Sequence, residues 1–406
     1  MRLGQLPRIL AVSVLGAAAL TVLSGGPSLL ADTAPTAASP AEPQLEQVGA
    51  EQSTAISVGY SVSSNTTAQT VRHPGATYVK VHFGKLALAA GDYVTVSDPS
   101  GAETYTYHGA PGGGLRSEDS GYTLHGDSGF AAMSVEGDTA VVTVHRESAK
   151  GLSAVGASAP VVTIDKFWRG YNEAEYNAAN IGLMSVCGSD ARRDVVCYQT
   201  SHPTQFARSK PVARLLIGGT SACTGWRVGD TNRVLTNNHC TSTQSGVTST
   251  ETQFNYQCQT CGGNNPFTPT KVSGASLVKT SASLDYTLYS VNGFSTISSF
   301  GTLYIESRQP VSHETVYIPG HGDATAKRLS IYETAGGALC DIDTVNLDSV
   351  NTGYLCDTSG GNSGSPVLAT SSHKVIALHH LGGCQNAGTR MSLIYPEIIA
   401  LIDNTP

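Results

Sequence analysis

"RVLTNNHC", residues 233–240, reads as an apolar strand that ends on a histidine and a cysteine. Another cysteine lies seventeen residues earlier, in "SACTGW" (221–226). A disulfide between Cys223 and Cys240 would close a short loop, worth about 3 kcal/mol of unfolded-state entropy. It would also pin the segment that carries His239. Two pieces downstream give a pinned histidine a purpose. "SASLDYTLYSV" (281–291) sets Asp285 at the start of an alternating strand, where a partly buried carboxylate needs a hydrogen-bond donor. "GGNSGSPV" (360–367) flanks Ser363 with Gly361 and Gly364. Such a backbone can turn sharply and aim N–H groups at a developing oxyanion.

A serine hydroxyl is a poor nucleophile until a base takes its proton, and the base needs a third group to hold it. Ser363, His239 and Asp285 are residues of those three kinds. Their chain order, His–Asp–Ser, is the chymotrypsin-type order rather than that of subtilisin or the α/β-hydrolases. Alone, an "HC" pair is structural, a strand-edge aspartate is a cap or an ion pair, and G-x-S-x-G occurs by chance in Gly/Ser-rich loops. Together, and with a cysteine pair at the histidine, they point to acyl transfer through a serine.

The rest of the chain sets the compartment and the domains. Arg2 and Arg8 precede an apolar run from Ile9 to Leu23, then small and polar residues, the pattern of a secretory signal over residues 1–31. The run is shorter than the roughly 20 apolar residues a membrane span needs, and no later segment is long and apolar enough. Residues 32–55 are rich in Ala, Pro, Ser and Thr and read as a linker. Residues 56–147 alternate polar and apolar between Gly and Asp turns, the pattern of an antiparallel β-sandwich. Its His82, Tyr105, Tyr107 and His108 read as sheet surface. Residues 148–182 read as a connector with a short helix at "YNEAEYNAANI", offering Lys150, Lys166 and Arg169 for self-processing. Residues 183–406 hold all nine cysteines and end in a helix expected around "PEIIALID"; an exported chain can keep disulfides. A formal charge of -7 leaves no footprint for nucleic acid. "CQTC" (258–261) is a lone CxxC, weak ground for a metal. The expectation is a secreted, extracellular monomer that acts on proteins or peptides, without cofactor, metal, nucleic acid or membrane after signal removal.

With these motifs in view, residues 183–406 resemble the secreted bacterial trypsin-like serine endopeptidases of the chymotrypsin fold, and most of all their lysyl endopeptidase branch. "SVCGSDARRDVVC", "ACTGW", "LTNNHC", "FNYQCQTC", "LDYTL", "AKRLS", "GGNSGSPV" and "LHHLGGC" carry the likeness. The resemblance implies an all-β fold of two six-stranded antiparallel barrels with a C-terminal helix and a cleft between the barrels, here preceded by a separate β-sandwich. It implies Ser363 as nucleophile, His239 as general base and then acid, and Asp285 as its orienting carboxylate. The N–H groups of Gly361 and Ser363 would form the oxyanion hole. Residues 379–383, with His379, His380 and Gly382, would run beside the substrate backbone. The implied cysteine pairs are 187–384, 223–240, 340–356, and 197 with either 258 or 261. Asp357, six residues before Ser363, would floor a pocket for Arg or Lys. The bacterial glutamyl endopeptidases also resemble the chain at "GGNSGSPV" and use a pocket histidine, for which His379 is the candidate. Two departures stand out: Asn362 replaces the zymogen-type aspartate, and no acid follows Cys384 before Glu397. The expected function is a serine endopeptidase cleaving after Arg or Lys. The alternatives are a glutamyl-specific endopeptidase, a non-catalytic relative that only binds, and a binding module in the sandwich.

Overall fold

Strict alternation organises the N-terminal half. Strand Thr139–His145 buries Ala140, Val142 and Val144 and turns the residues between them outward, as the two-residue period of a strand dictates. It lies between Thr66–Arg72 and Tyr93–Ser97 in a four-stranded sheet whose other edge is Thr104–Tyr107. A second sheet runs Gly49–Val58, Val162–Gly170, Tyr78–Leu86, Phe130–Ala132, Tyr122–Thr123, with Val135–Glu136 also on Tyr78–Leu86. Val71, Val94 and Val142 of one sheet share a core with Val81, Phe83, Phe130 and Ile164 of the other, which makes the pair a sandwich. The computed structural model describes residues 44–405 apart from 117, 127, 148–159 and 182–183. The expected signal segment and Lys150 therefore lie outside the described residues.

Three expectations about this half change. Residues 46–47 and 49–58 are strands rather than the end of a linker. Gly49–Val58 is small and polar and fully buries only its two end residues; it is held by backbone pairing to Val162–Gly170, which composition does not reveal. That partner strand falls inside the expected connector and lies within the second sheet, between Gly49–Val58 and Tyr78–Leu86. Lys166 and Arg169 thus sit in paired backbone, not in an exposed loop. The helix of the connector does form, over Glu173–Ala179, closed by a capping box between Asn172 and Glu175. His82 and Tyr107 are interior rather than surface residues: Tyr107 is in the sandwich core, and His82 is buried with Nδ1 2.6 Å from Asp165 Oδ1.

The C-terminal half holds two antiparallel arrays, each six strands plus one short added strand. The first contains Val212–Ile217, Ser221–Arg227, Val234–Thr236, Thr250–Phe254, Thr270–Ser281 and Tyr286–Val291. It closes into a barrel because Ser221–Arg227 pairs with Val212–Ile217 along one edge and, at Trp226 and Arg227, with Val234–Thr236 along the other. The added strand is Glu46–Gln47. The second array contains Val316–Gly320, Arg328–Ser330, Asn351–Tyr354, Pro366–Ala369, Val375–Leu381 and Asn386–Arg390, with Arg193–Asp194 added. Trp226, Leu235 and Leu288 of the first meet Tyr317, Leu368 and Leu378 of the second in one core. The C-terminal helix seals it with Met391, Ile394 and Ile398. That helix spans Met391–Ile398, earlier than expected, and a 3-10 turn at Ile399–Leu401 follows.

Charges fasten the sandwich to the first barrel. Lys80 and Glu251, both fully buried, meet at 2.5 Å. Ser134 donates to both carboxylate oxygens of Glu251, and Gln253 donates to one. Lys271 bonds Glu103 at 2.7 Å, and Arg214 bonds Glu136 at 3.0 Å. The Tyr78 hydroxyl donates to the Gly219 carbonyl at 2.8 Å.

Candidate active site

Strand Val234–Thr236 delivers the chain to a tight turn, and the Asn237 amide donates to the Asp285 carbonyl at 2.8 Å. That bond ties the histidine turn to the aspartate turn. The Cys223–Cys240 disulfide anchors the residue after His239. Asp285 immediately precedes Tyr286–Val291 and adopts φ 46°, a left-handed conformation that Asp tolerates better than most residues. Its carboxylate faces His239 twice: Oδ1 accepts the His239 backbone N–H at 2.9 Å, and Oδ2 lies 2.7 Å from Nδ1. Nε2 of His239 is buried and has no hydrogen-bond partner among the described residues.

A third donor reaches the same carboxylate. His380 Nδ1 lies 3.0 Å from Asp285 Oδ2, and its Nε2 lies 2.7 Å from Asn351 Oδ1. Asn351 is oriented in turn by Asp348, to which its Nδ2 donates at 2.9 Å. Burial by itself would raise the carboxyl group of Asp285, but the bonds from His239 and His380 outweigh it and hold the group well below the usual range. The carboxylate stays ionised. His380 was expected beside the substrate; its ring lies on the Asp285 carboxylate. The sequence held a signal for this. Adjacent residues of a strand point to opposite faces, so "HH" has to serve two sites. A register break between His379 and Leu381 accompanies that division.

The turn of Ser363 is clamped to the first barrel. The Thr224 N–H donates to the Ser363 carbonyl, and the Thr224 hydroxyl to the Gly361 carbonyl, both at 2.8 Å. The Ser363 carbonyl also lies 3.9 Å from Sγ of Cys240, next to His239. Gly361 and Gly364 have φ of 84° and 89°, and a methyl group on Gly364 would strike the Thr224 carbonyl. Asn362 is buried, with its amide packed against Gly320 and Gly322. The structure thus gathers His239, Asp285, Gly361 and Ser363 at the junction of the two barrels. Beside them is a concavity of about 370 Å³ lined by His239, Asp285, Asn351, His380 and Leu381. A larger cavity, about 850 Å³, is elsewhere, and its lining includes none of His239, Asp285 and Ser363.

The proposed pocket residues fare unequally. Asp357 is fully buried, and its two oxygens accept the backbone N–H groups of Cys187 at 3.0 Å and Ala191 at 2.7 Å. Burial raises its carboxyl group above the usual value. The side chain therefore holds the 187–191 segment in place. His379 is buried with Nδ1 2.7 Å from the Tyr354 hydroxyl. Burial pulls it down to about 3, so the ring is neutral. Gly382 follows strand Val375–Leu381 and is partly exposed. The disulfides are Cys187–Cys384, Cys197–Cys261, Cys223–Cys240 and Cys340–Cys356, with Cys258 free. "CQTC" is thus divided between a disulfide and a thiol.

Comparison with known proteins bears on this half of the chain. Residues 223–378 match the model of the trypsin-like peptidase domain. Two solved structures are similar at low identity. A Glu endopeptidase in complex with MPD is 20% identical, covers 54% of this chain and 100% of its own, and has a TM-score of 0.41. The serine endoprotease from Yersinia pestis is 13% identical, covers 50% and 67%, and scores 0.36. A curated relative reaches beyond the peptidase half: Secreted RxLR effector protein 73 of Plasmopara viticola is 31% identical over 325 residues, 77% of this chain and 76% of the relative. The chain belongs to the family of that protein, and it carries a trypsin-like peptidase domain.

Proposed function

We propose that the protein is a secreted serine endopeptidase that works through Ser363, His239 and Asp285. One observation carries the reading: Asp285 grips His239 at both its backbone N–H and Nδ1, while Nε2 is left without a partner beside the clamped turn of Ser363. In this reading Ser363 Oγ attacks the peptide carbonyl and its proton passes to His239 Nε2. The backbone N–H groups of Gly361 and Ser363 stabilise the oxyanion. His239 then gives the proton to the leaving amine as the C–N bond breaks, and water repeats the sequence on the acyl-enzyme. Export is supported by the charged and apolar start of the sequence, by four disulfides and by the relative's name. No helix among the described residues is long and apolar enough to cross a membrane.

For specificity, the geometry moves the reading from a basic to an acidic side chain. Asp357 is buried and already engaged by two amides, which favours a structural task for it over the floor of an Arg or Lys pocket. His379, neutral and oriented by Tyr354, supplies an imidazole of the kind the glutamyl endopeptidases use. Two experiments test the reading. A serine-directed phosphonate labels Ser363 in wild type and nothing in Ser363→Ala. A peptide panel varying only the residue before the scissile bond gives Glu as the preferred residue, and His379→Phe abolishes the preference. Casein hydrolysis by Ser363→Ala would remove the triad assignment, and a preference for Arg or Lys would restore Asp357 to the pocket.

A further inference from the structure

The strand that clamps Ser363 has one edge with three successive neighbours. Its other edge is covered throughout by Val212–Ile217. On the edge in question, Trp226 and Arg227 pair with Leu235 and Val234. Thr224 then donates to the carbonyl of Ser363. Beyond that, Ala222 and Ser221 pair antiparallel with Glu46 and Gln47 of the chain's own N-terminal region. Successive strand residues advance about 3.3 Å, so Glu46 lies roughly 7 Å along the edge from the residue that holds the nucleophile.

The contacts of this short segment are those of an occupant seated in a site. Leu45 packs against the Cys223–Cys240 disulfide, next to His239. Glu46 is 1% exposed. One of its carboxylate oxygens accepts from the Tyr176 hydroxyl, and the other is buried without a partner. That second oxygen lies against the α-carbon of Gly361, whose missing side chain makes the room. Gln47 exchanges two bonds with the Asn180 side chain, N–H to Oδ1 at 3.0 Å and carbonyl from Nδ2 at 2.7 Å. Val48 N–H donates to the Thr220 carbonyl at 2.7 Å.

A peptide substrate must lie on both sides of the nucleophile, and extended peptides bind proteins by adding a strand to an open edge. The acyl half has residues 379–383 to run along. For the leaving half, the open edge beyond Ser363 is at Ala222 and Ser221, which is where Glu46 and Gln47 sit. We propose that Leu45–Val48 is an internal occupant of the leaving-group half of the cleft, so that this form of the chain admits substrates ending at the scissile bond and excludes peptides that continue past it. The inference rests on the endopeptidase reading of Ser363. It gives the N-terminal segment a task that neither the sandwich nor the triad accounts for.

The test uses the full chain and two substrates with the same acyl half. One ends in a methyl ester and the other continues for four residues. Asn180→Ala removes the clasp on Gln47, and Glu46→Arg places a cation in a site already faced by Arg192 and Arg328. When an occupant holds most molecules closed, apparent affinity falls by the open fraction. Each variant is expected to raise kcat/KM for the long substrate about tenfold or more and to leave the ester within about twofold of wild type. The peptide Gln-Leu-Glu-Gln-Val added to Glu46→Arg, which keeps the Asn180 clasp, should inhibit the long substrate and spare the ester. If Glu46→Arg does not fold, the same addition is made to Glu46→Gln. Equal turnover of the long substrate by wild type and a folded Asn180→Ala, with no inhibition by the peptide, would overturn the proposal while leaving the protease reading intact. Absence of turnover on both substrates, with no phosphonate labelling of Ser363 in any form, would remove the protease reading itself.

Discussion

Asp285 in the cleft and Glu251 in the seam beneath the sandwich are both carboxylates withdrawn from water, 8% and 0% exposed. Burial opposes ionisation of each, and donors overcome it in each. The difference lies in what the donors leave over. Around Glu251, Lys80, Ser134 and Gln253 turn every bond inward, and Lys271 adds its charge. Nothing there is left to react. Asp285 draws its donors largely from imidazoles, and an imidazole has a second nitrogen. For His380 that nitrogen is engaged by Asn351; for His239 it is free. A satisfied carboxylate makes a fastening, whereas one that satisfies itself through a bifunctional partner leaves that partner's far end open, which is the feature the proposed mechanism uses.

Removing the open end should have the largest consequence. Ser363→Ala, His239→Ala and Asp285→Asn are each expected to lower kcat by roughly 10⁴-fold or more, with losses that do not add in double mutants and with melting temperatures near wild type. Steady-state rates and thermal melts together check this; a large fall in melting temperature for Asp285→Asn would make Asp285 a fastening like Glu251.

The seam should break the other way. Glu251→Gln leaves two buried lysines facing an uncharged amide, and breaking a buried ion pair from one side costs about 3–5 kcal/mol. Denaturant titration should show that loss, and the Lys80→Met/Glu251→Leu double variant should recover most of it. The pH dependence has a definite sign. The Glu251 carboxyl group is lowered on folding from 4.5, so its contribution is present above that value and is lost as the pH falls below it.

Asp357 sharpens the contrast, because it resembles a pocket charge in sequence and a fastening in structure. Asp357→Asn should cost about 1–3 kcal/mol of stability, since one of the Cys187 and Ala191 N–H groups would face an NH₂ group. The residue preferred before the scissile bond should not change. A stable Asp357→Asn with altered preference would place this carboxylate in the cleft.

Glu46 is the intermediate case, buried with one oxygen unpartnered, and it should give the smallest effect. Burial pushes it from 4.5 up to about 8; Tyr176 opposes this by its hydrogen bond, Asp323 adds to it, and Arg192 and Arg328 oppose it. A seated group whose value is raised is favoured in full below its ordinary 4.5 and loses that advantage as the pH rises to about 8. The ratio of long-substrate to ester turnover should therefore climb across that window in wild type. In Glu46→Gln it should stay flat.

The two regions also differ in how legible they were. His239, Asp285 and Ser363 could be picked out as candidates because each sits in a local motif: a cysteine beside His239, a strand start at Asp285, glycines around Ser363. The barrels followed from the resemblance those motifs carry. The seam has no local signature. Lys80 and Glu251 are single charges in ordinary alternating strands, and only tertiary packing brings them together. The strands at 46–47 and 49–58 were missed because small polar residues conceal backbone pairing between distant segments, whereas 162–170 carries apolar residues at Val162, Ile164, Phe167 and Trp168 that the connector reading passed over. Asp357 was singled out by its spacing from Ser363, which fixes where a side chain starts and not which partners it finds; its bonds to Cys187 and Ala191 have no signature in the sequence.

The place of Val162–Gly170 between Gly49–Val58 and Tyr78–Leu86 has a consequence for the order in which the molecule is assembled. Chains are made from the N-terminus, at about 5–20 residues per second. The second sheet of the sandwich cannot be completed until residue 170 has emerged, because Gly49–Val58 and Tyr78–Leu86 meet only through that strand. Lys80 has no counter-charge until residue 251, and Cys187 waits 197 residues for Cys384. Such long-range closures favour slow folding. The edge at Ser221 and Ala222 is synthesised before Ser363, by roughly ten seconds at those rates, and Leu45–Val48 is already there to cover it. On that timetable Ser363 docks onto a strand edge that Glu46 and Gln47 already share.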